Sequence, residues 1–307
     1  MVAVVGATAT GKSDLAVRLA QALDGEVISA DSMQLYRGMD IGTGKLSLAE
    51  RRGVPHHLLG IWDVTKTASA SEYQRLARAA IADIQARGRT AILAGGSGLY
   101  VRAAIDDLRF PGTDPGLRAR LESELAAVGS AALHARLAAA DPAAAAGILP
   151  SNGRRIVRAL EVLELSGRPF SASMPSYEAV LPAVQLGLAV PRDILDQRIA
   201  LRVRRMWEDG VVDEVRALAE TGDPGRSLRA GLTASRALGY QQILRFLDGQ
   251  CTEAEAEAET VRATRKFARR QESWFRRDPR VRWLDAAKPV PVSAAVAAVL
   301  ARGDDPP

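Results

Sequence analysis

Hydrophobic positions follow two spacings along this chain. "VAVVG" (residues 2–6) is a short β-branched run closed by a glycine, which predicts a buried strand. Directly behind it, "KSDLAVRLAQALDG" places apolar residues at Leu15, Leu19, Ala22 and Leu23 and closes at Gly25, the spacing of a helix with a glycine stop. "EVISAD" predicts a second strand and "LLGIWDV" a third. "SASEYQRLARAAIADIQARG" predicts a helix with Ser69 or Ser71 as N-cap and Gly88 as stop. "TAILAGG" predicts another strand, ending at Gly95 and Gly96. Strands alternating with helices predict a parallel sheet with right-handed crossovers.

The rhythm changes near Pro111. From Thr113 to about Pro182 the pattern is helical and rich in alanine and arginine. "DPGLRARLESELAAVG" and "NGRRIVRALEVLELSG" each begin on a turn or cap signal and end in glycine. "AAADPAAAAG" is biased in composition, and the helix propensity of alanine accounts for it. "AVQLGLAVP" then returns as a strand, helices resume from about Arg192, and "VRWLD" predicts a small further strand. The tail "GDDPP" is expected to fray. The pattern is that of an α/β unit interrupted by a helical insertion.

"GATATGKS", Gly6 to Ser13, fits the phosphate-binding pattern G-x-x-x-x-G-K-[ST], with a strand before it and a helix after it as that pattern requires. Glycines let the backbone point its N–H groups at phosphate oxygens, and the helix presents its positive end to the same anion. Lys12 adds a full charge, and the Ser13 hydroxyl is a candidate Mg²⁺ ligand. A second glycine-rich stretch, "GMDIGTGKL", has Leu46 where Ser or Thr belongs and the wrong glycine spacing, so it reads as an ordinary turn region.

At 307 residues and 47% hydrophobic content the chain can bury one sizeable core, or a core and a smaller unit. The formal net charge of +5 suits many ordinary enzymes, so the placement of the arginines carries more information than their number. A single cysteine, Cys251, excludes an internal disulfide framework and a Cys-based zinc site within one chain, and fits a reducing cytoplasm. The N-terminus runs into a strand with no basic leader or cleavage site, so no signal peptide is expected. No apolar run is long enough to span a bilayer.

A nucleotide hydrolase of this class holds Mg²⁺ with an Asp at the end of a neighbouring strand. "TAILAGGSGLY" carries no carboxylate there. Asp31, at the end of "EVISAD", is the acidic residue at a strand's carboxyl end in the early sheet, where ligands of open α/β sheets lie. It is a candidate metal ligand or general base, or a cap for the following turn. Two arginine clusters stand out. "SNGRRIVRALEVLEL" sets Arg154 and Arg158 one turn apart with Arg155 adjacent, opposite Ile156, Leu160 and Leu163. "RATRKFARRQESWFRRDPR" aligns Arg262, Arg265, Arg269 and Arg276 beside Phe267, Trp274 and Phe275. Basic stripes with aromatics suit a nucleic-acid backbone and unstacked bases, and equally a solvated face with aromatics in the core.

"GATATGKS", "ISADSMQLYRGMDIGTGK", "PHHLL", "SASEYQ", "AGGSGLYVRA", "RRIVRALEV", "ALGYQQI" and "TRKFARRQESWFRRD" follow one another in the order that resembles bacterial tRNA dimethylallyltransferases, the tRNA isopentenyltransferases or IPP transferase family. The likeness covers nearly the whole chain. It implies an α/β fold, a P-loop NTPase-like parallel sheet flanked by helices with an inserted all-helical domain. The core would comprise residues 1–112 and 183–307, and the insertion residues 113–182. It implies transfer of a dimethylallyl group from dimethylallyl diphosphate to the exocyclic amine of the adenosine just 3′ of the anticodon.

The resemblance also implies site residues. Gly6, Ala7, Thr8, Ala9, Thr10, Gly11, Lys12 and Ser13 would hold the diphosphate, with Mg²⁺ on Ser13. Asp31 matches the family's general base, Ser97 a hydroxyl donor near the breaking bond, and Arg216 a family arginine expected on the diphosphate. Asp31, Ser32, Met33, Gln34, Ser97, Arg118, Arg154, Arg155, Ile156, Val157, Arg158, Arg236, Ala237, Leu238, Gly239, Tyr240 and Gln241 match contacts to the tRNA anticodon stem-loop. Reaching Asp31 would require the target base to leave its stack. A monomer is expected, in the cytoplasm and without a membrane.

Departures from the family pattern are few. Ala7 replaces a common proline, Gln241 falls where a basic residue is frequent, and the single cysteine excludes the zinc finger of some eukaryotic relatives. The competing readings are a P-loop kinase for a small metabolite and a non-catalytic RNA-binding protein with a degenerate site.

Overall fold

A computed structural model describes residues 1–170 and 177–301. The expected fraying of "GDDPP" concerns residues outside that range. In chain order the elements begin with β1 (Val2–Gly6), α1 (Lys12–Ala22), β2 (Gly25–Ser29), β3 (His56–His57), α2 (Ala70–Ala86), β4 (Thr90–Gly95) and α3 (Gly98–Ile105). Then come α4 (Pro115–Ala140), α5 (Pro142–Ala146) and α6 (Gly153–Ser166). The chain continues with β5 (Val184–Ala189), α7 (Arg192–Glu208), α8 (Val211–Ala219), α9 (Tyr240–Leu247), α10 (Glu253–Phe275), β6 (Val281–Asp285) and α11 (Val292–Leu300).

The six strands form one sheet in the order β3-β2-β4-β1-β5-β6, every pairing parallel. The apolar run of β1 is buried at every position because the strand is central and covered on both faces. Helix α1 packs Leu15 and Leu19 with Ala295 of α11 against β1, β4 and β5. Helices α2, α3 and α10 also pack against the sheet, and Tyr73 of α2 stacks on Tyr100 of α3 at 4.2 Å while donating to Ser29 O at 3.0 Å. Register sets Val5 beside Gly95 and Ser29 beside Ala94, so the loops after β1, β2 and β4 emerge together at one edge.

Two expectations need correction. "LLGIWDV" does not extend the sheet: β3 is only His56–His57, and Trp62 makes one isolated bridge to Tyr36. The backbone turns left-handed at Leu58 (φ 61°) and Gly60 (φ 61°), which breaks an extended run. Trp62 then pairs with the loop after β2, donating to Leu35 O and accepting from Arg37 N, both at 2.8 Å. The predicted stop at Gly129 is a kink (φ 80°, ψ 165°), after which α4 resumes to Ala140.

The chain divides into two compact units, Met1–Ile105 with Ala179–Pro307, and Asp106–Glu178. The insertion therefore starts and ends a few residues earlier than the expected 113–182. Asp107 N donates to Glu178 O at 2.9 Å inside the smaller unit, whereas Val180 and Leu181 already donate to Ile105 O in the larger. The smaller unit is α4, α5 and α6 around Leu121, Leu133, Leu137, Ile148, Ile156 and Leu160. Asp114 caps α4, Asn152 caps α6, and Gly167 (φ 64°) ends α6.

Candidate active site

The phosphate loop joins β1 to α1. Gly6 (φ 140°) and Gly11 (φ 92°) supply the left-handed backbone, and a Cβ on Gly6 would stand 3.0 Å from Leu188 O. Ala9 adopts φ 63° with a side chain present, local strain within the loop. Lys12 folds back to donate to Ala7 O at 2.5 Å, as Thr10 Oγ1 does at 2.9 Å. Thr8 is already committed: its N–H donates to Gln271 Oε1 of α10 at 2.9 Å. Gln271 Nε2 donates to Gly96 O at 2.9 Å, which ties the loop to the end of β4.

Two cavities meet at this loop. One, of about 300 Å³, is lined by Thr8, Asp31, Ser32 and Met33 on the sheet side. Ile199, Val203, Trp207 and Phe267 give it an apolar helical side, and Ala237, Leu238 and Gly239 join them. The other, of about 840 Å³, carries a net positive charge: Lys12, Lys45, Arg51, Arg198, Arg202 and Arg205 outnumber Asp14, Asp40, Glu50 and Asp209 among its lining residues, with Ser13 beside them. Arg202 and Met206 line both.

Burial, then the nearby Arg202 guanidinium, push the Lys12 ammonium down to about 7, with Asp31 opposing. Burial also lowers the Arg202 value, again with Asp31 opposing. The open space beside Lys12 and Arg202 is therefore set for an anion, which would restore both charges.

Asp31 follows β2, and its Oδ1 accepts from Met33 N at 2.9 Å. The capping role weighed from sequence is thus present, and the carboxylate still lines the smaller cavity. Ser97 follows β4 and accepts from Ser32 N at 3.2 Å, which brings Ser97 and the Asp31–Ser32 turn together. Gln34 accepts from Ser29 Oγ at 3.0 Å and donates to Thr43 O and Gly44 O, each at 3.3 Å, so its amide is spent within the protein. Ser13 makes no hydrogen bond from its side chain to another described residue, and no group of three or more His, Cys, Asp or Glu that would hold a metal occurs among the described residues.

Several predicted residues lie elsewhere. Arg216, on α8, pairs with Asp213 at 2.5 Å, stays half-exposed and lines neither cavity. Arg202 lines both cavities and acts electrostatically on Lys12. Ile156 and Val157 are 0% and 2% exposed in the core of the helical unit, so their side chains are not surface contacts. Arg118 and Arg158 both grip Glu161, a carboxylate with 0% exposure, and Arg158 also donates to Pro111 O at 2.6 Å and Gly112 O at 3.0 Å. Only Arg154 and Arg155 of that cluster are free-standing and exposed. Tyr240 is fully buried, Gln241 is exposed outside both cavities, and Arg236 lines the smaller one.

The basic face expected on α10 divides. Arg262 and Arg276 pair with Glu259 and Glu272, Arg265 donates to Asp196 O of α7 at 3.1 Å, and Phe275 is in the core. Phe267 and Arg270 line the smaller cavity, and Trp274 is exposed beside Gly98, where a Cβ would meet its ring at 2.1 Å.

Sequence reasoning missed Arg202, Gln271 and the apolar wall of α7. One signal was available: Arg202 interrupts the apolar stripe Leu195, Ile199, Val203 and Met206, an unusual place for an arginine without an anionic partner.

The IPP transferase family model matches residues 34–278. A tRNA dimethylallyltransferase of Thermobifida fusca is 64% identical over 99% of this chain and 95% of its own length. One of Streptomyces avermitilis is 68% identical over 94% and 90%. The crystal structure of a full-length tRNA isopentenylpyrophosphate transferase from Bacillus halodurans superposes with a TM-score of 0.70 at 41% identity, covering 97% of this chain and 93% of that one. A eukaryotic dimethylallyltransferase captured acting on tRNA gives a TM-score of 0.81 at 26% identity, covering 94% and 74%. With its six parallel strands, its phosphate loop and these relatives along almost its entire length, the chain belongs to the IPP transferase family.

Proposed function

We propose that this protein transfers a dimethylallyl group from dimethylallyl diphosphate to the exocyclic amine of the adenosine just 3′ of the anticodon in tRNA, releasing diphosphate. The observation that carries the reading is the meeting of two unlike cavities at one loop. An apolar cavity holds the Asp31 carboxylate, a cationic cavity holds Lys12, and Arg202 lines both. A prenyl diphosphate has the same division between its two ends.

In this reading the phosphate loop, Lys12 and Arg202 bind the diphosphate, and the allylic chain lies against Ile199, Val203 and Phe267. The adenosine amine attacks the allylic carbon, that carbon's bond to oxygen breaks, and the bonding pair leaves on diphosphate. Lys12 and Arg202 offset the charge that develops on the departing oxygen. The amine is a weak nucleophile because its lone pair is delocalised into the ring, so Asp31 accepts its proton as the new bond forms. Ser97, bonded to Ser32, holds the turn that presents Asp31 and offers a hydroxyl near the breaking bond. The base enters extruded from its stack, with Met33 and the segment from Arg236 to Gly239 around it.

Ser13, a hard oxygen donor in the diphosphate cavity, fits a Mg²⁺ completed by substrate oxygens and water. Bound there, Mg²⁺ would supply further charge neutralisation to the leaving group. Exposed Arg154 and Arg155 are the residues of the helical unit best suited to tRNA phosphates. No helix among the described residues is long and apolar enough to cross a membrane. The reading places a monomer in the cytoplasm, where its tRNA substrate resides.

The test is incubation with Mg²⁺, labelled dimethylallyl diphosphate and an unmodified tRNA carrying adenosine at that position. Label in tRNA is expected. No label in tRNA, with ATP turnover on a small acceptor, would instead mean a metabolite kinase.

A further inference from the structure

We propose that Glu214 is a positioning residue for prenyl transfer, acting on Arg202 through the loop at residues 40–44. The inference rests on the function proposed above. Glu214 lies in the first turn of α8. Its Oε2 accepts from the backbone N–H groups of Asp40 at 2.9 Å and Ile41 at 2.7 Å, and its Oε1 from Gly42 N at 3.1 Å. The Tyr240 hydroxyl donates to Oε1 at 2.5 Å. Three successive backbone N–H groups converging on one anion form a nest. "GMDIGTGKL", which fails as a phosphate loop in sequence, is thus an anion-binding loop whose anion is the protein's own carboxylate.

What the loop holds links it to the chemistry. Gly42 and Thr43 line the smaller cavity. Thr43 O accepts from Arg202 Nη2 at 3.3 Å, and Gln34 Nε2 braces Thr43 O and Gly44 O from the other side. Arg202 reaches its place only because Gly44 has no side chain: a Cβ there would stand 2.0 Å from Nη2. Gly42 lies as close to Tyr240, whose ring a Cβ would meet at 2.6 Å. Glu214 therefore fixes the loop conformation on which the Arg202 guanidinium rests. The segment "VDEVRAL" serves the site through Glu214, while Arg216 faces Asp213.

A change that keeps the volume but presents an amide N–H₂ to backbone donors should release the loop. Glu214→Gln is expected to raise the Kd for inorganic diphosphate and lower kcat/KM for the donor by about tenfold to 10²-fold, the cost of a displaced binding group. The decisive comparison is Glu214→Gln, Arg202→Ala and the double variant, each titrated with inorganic diphosphate. If Glu214 acts through Arg202, the double variant binds diphosphate no more weakly than Arg202→Ala alone. If the two losses multiply, or Glu214→Gln binds diphosphate as the unaltered protein does, the proposal is overturned. Thermal unfolding of each variant reports fold integrity separately, and Glu214→Asp, whose shorter side chain cannot span all three N–H groups, replaces Glu214→Gln in the same cycle should that variant not fold, with the same expected and contrary results. Failure of the unaltered protein to prenylate tRNA would overturn the proposed function, whereas the diphosphate cycle tests Glu214 directly.

Discussion

Gln271 and Thr8 are joined by a hydrogen bond of 2.9 Å between a side-chain carbonyl on α10 and a backbone amide of the phosphate loop. The other end of the same amide side chain holds Gly96 O. Gln271 is 6% exposed, so water cannot readily replace either bond. One residue thereby sets the spacing between the loop that grips phosphate and the strand end that carries Ser97.

Replacing Gln271 separates its two roles. Gln271→Leu leaves the buried Gly96 carbonyl unpaired, worth about 1–3 kcal/mol, together with the partly buried Thr8 N–H, and should lower the free energy of unfolding in urea accordingly. Gln271→Glu retains an acceptor for Thr8 but brings negative charge to a site for an anion. Its Kd for inorganic diphosphate should rise about tenfold or more, and the penalty should shrink as salt is added. Unchanged diphosphate affinity in Gln271→Glu would mean that the anion does not occupy this loop.

Lys12 makes ligand binding pH-dependent. With its ammonium pushed down to about 7 by burial and Arg202, much of it is neutral at pH 8.5 in the ligand-free protein. Diphosphate favours the charged form, so binding should take up close to about one proton at that pH. Calorimetry in two buffers of different ionisation enthalpy measures this, and Lys12→Arg provides the baseline for protons released by the ligand. Equal proton exchange in both proteins would contradict the assignment. The sign for folding follows: the unfolded chain binds the extra proton between about 7 and 10.5, so ligand-free stability rises with pH across that window and is lost as pH falls through about 7.

The arginines of α6 should behave as two classes. Arg154→Ala and Arg155→Ala should weaken tRNA binding, each reducing the slope of log K against log salt by about 1, with little change in unfolding temperature. Arg118→Ala combined with Arg158→Ala strips both guanidinium partners from buried Glu161, leaving it the Asp114 N–H alone, and should destabilise the helical unit by about 3–5 kcal/mol. Equal effects of Arg154 and Arg158 on stability would contradict the division.

The periodicity of the chain placed most of the sheet because β1, β4 and β5 are buried runs whose boundaries are glycines or a proline. It failed at "LLGIWDV" because a left-handed turn at Leu58 leaves no composition signal, leucine being an ordinary strand residue. The phosphate loop and Asp31 were legible because each is local: eight consecutive residues in one case, the end of one strand in the other. Arg202 and Gln271 were not, since α7 and α10 bring them to the loop from far along the chain. Arg216 was placed by its motif alone, which carries no information on the direction in which a helix turns a side chain; in the structure it pairs with Asp213. The difference between Arg158 and Arg154 was not legible because it depends on Glu161, three residues along the same helix from Arg158, being buried.

The central claim is that Asp31 accepts the amine proton during transfer of the dimethylallyl group to tRNA. Single-turnover transfer from labelled dimethylallyl diphosphate to unmodified tRNA, compared between the unaltered protein and Asp31→Asn, tests it most directly when tRNA affinity is measured alongside. The account predicts a transfer rate lower by about 10²–10⁴ in Asp31→Asn, with tRNA affinity changed by less than threefold. Transfer at the unaltered rate, or a loss of tRNA binding as large as the loss of rate, would contradict it.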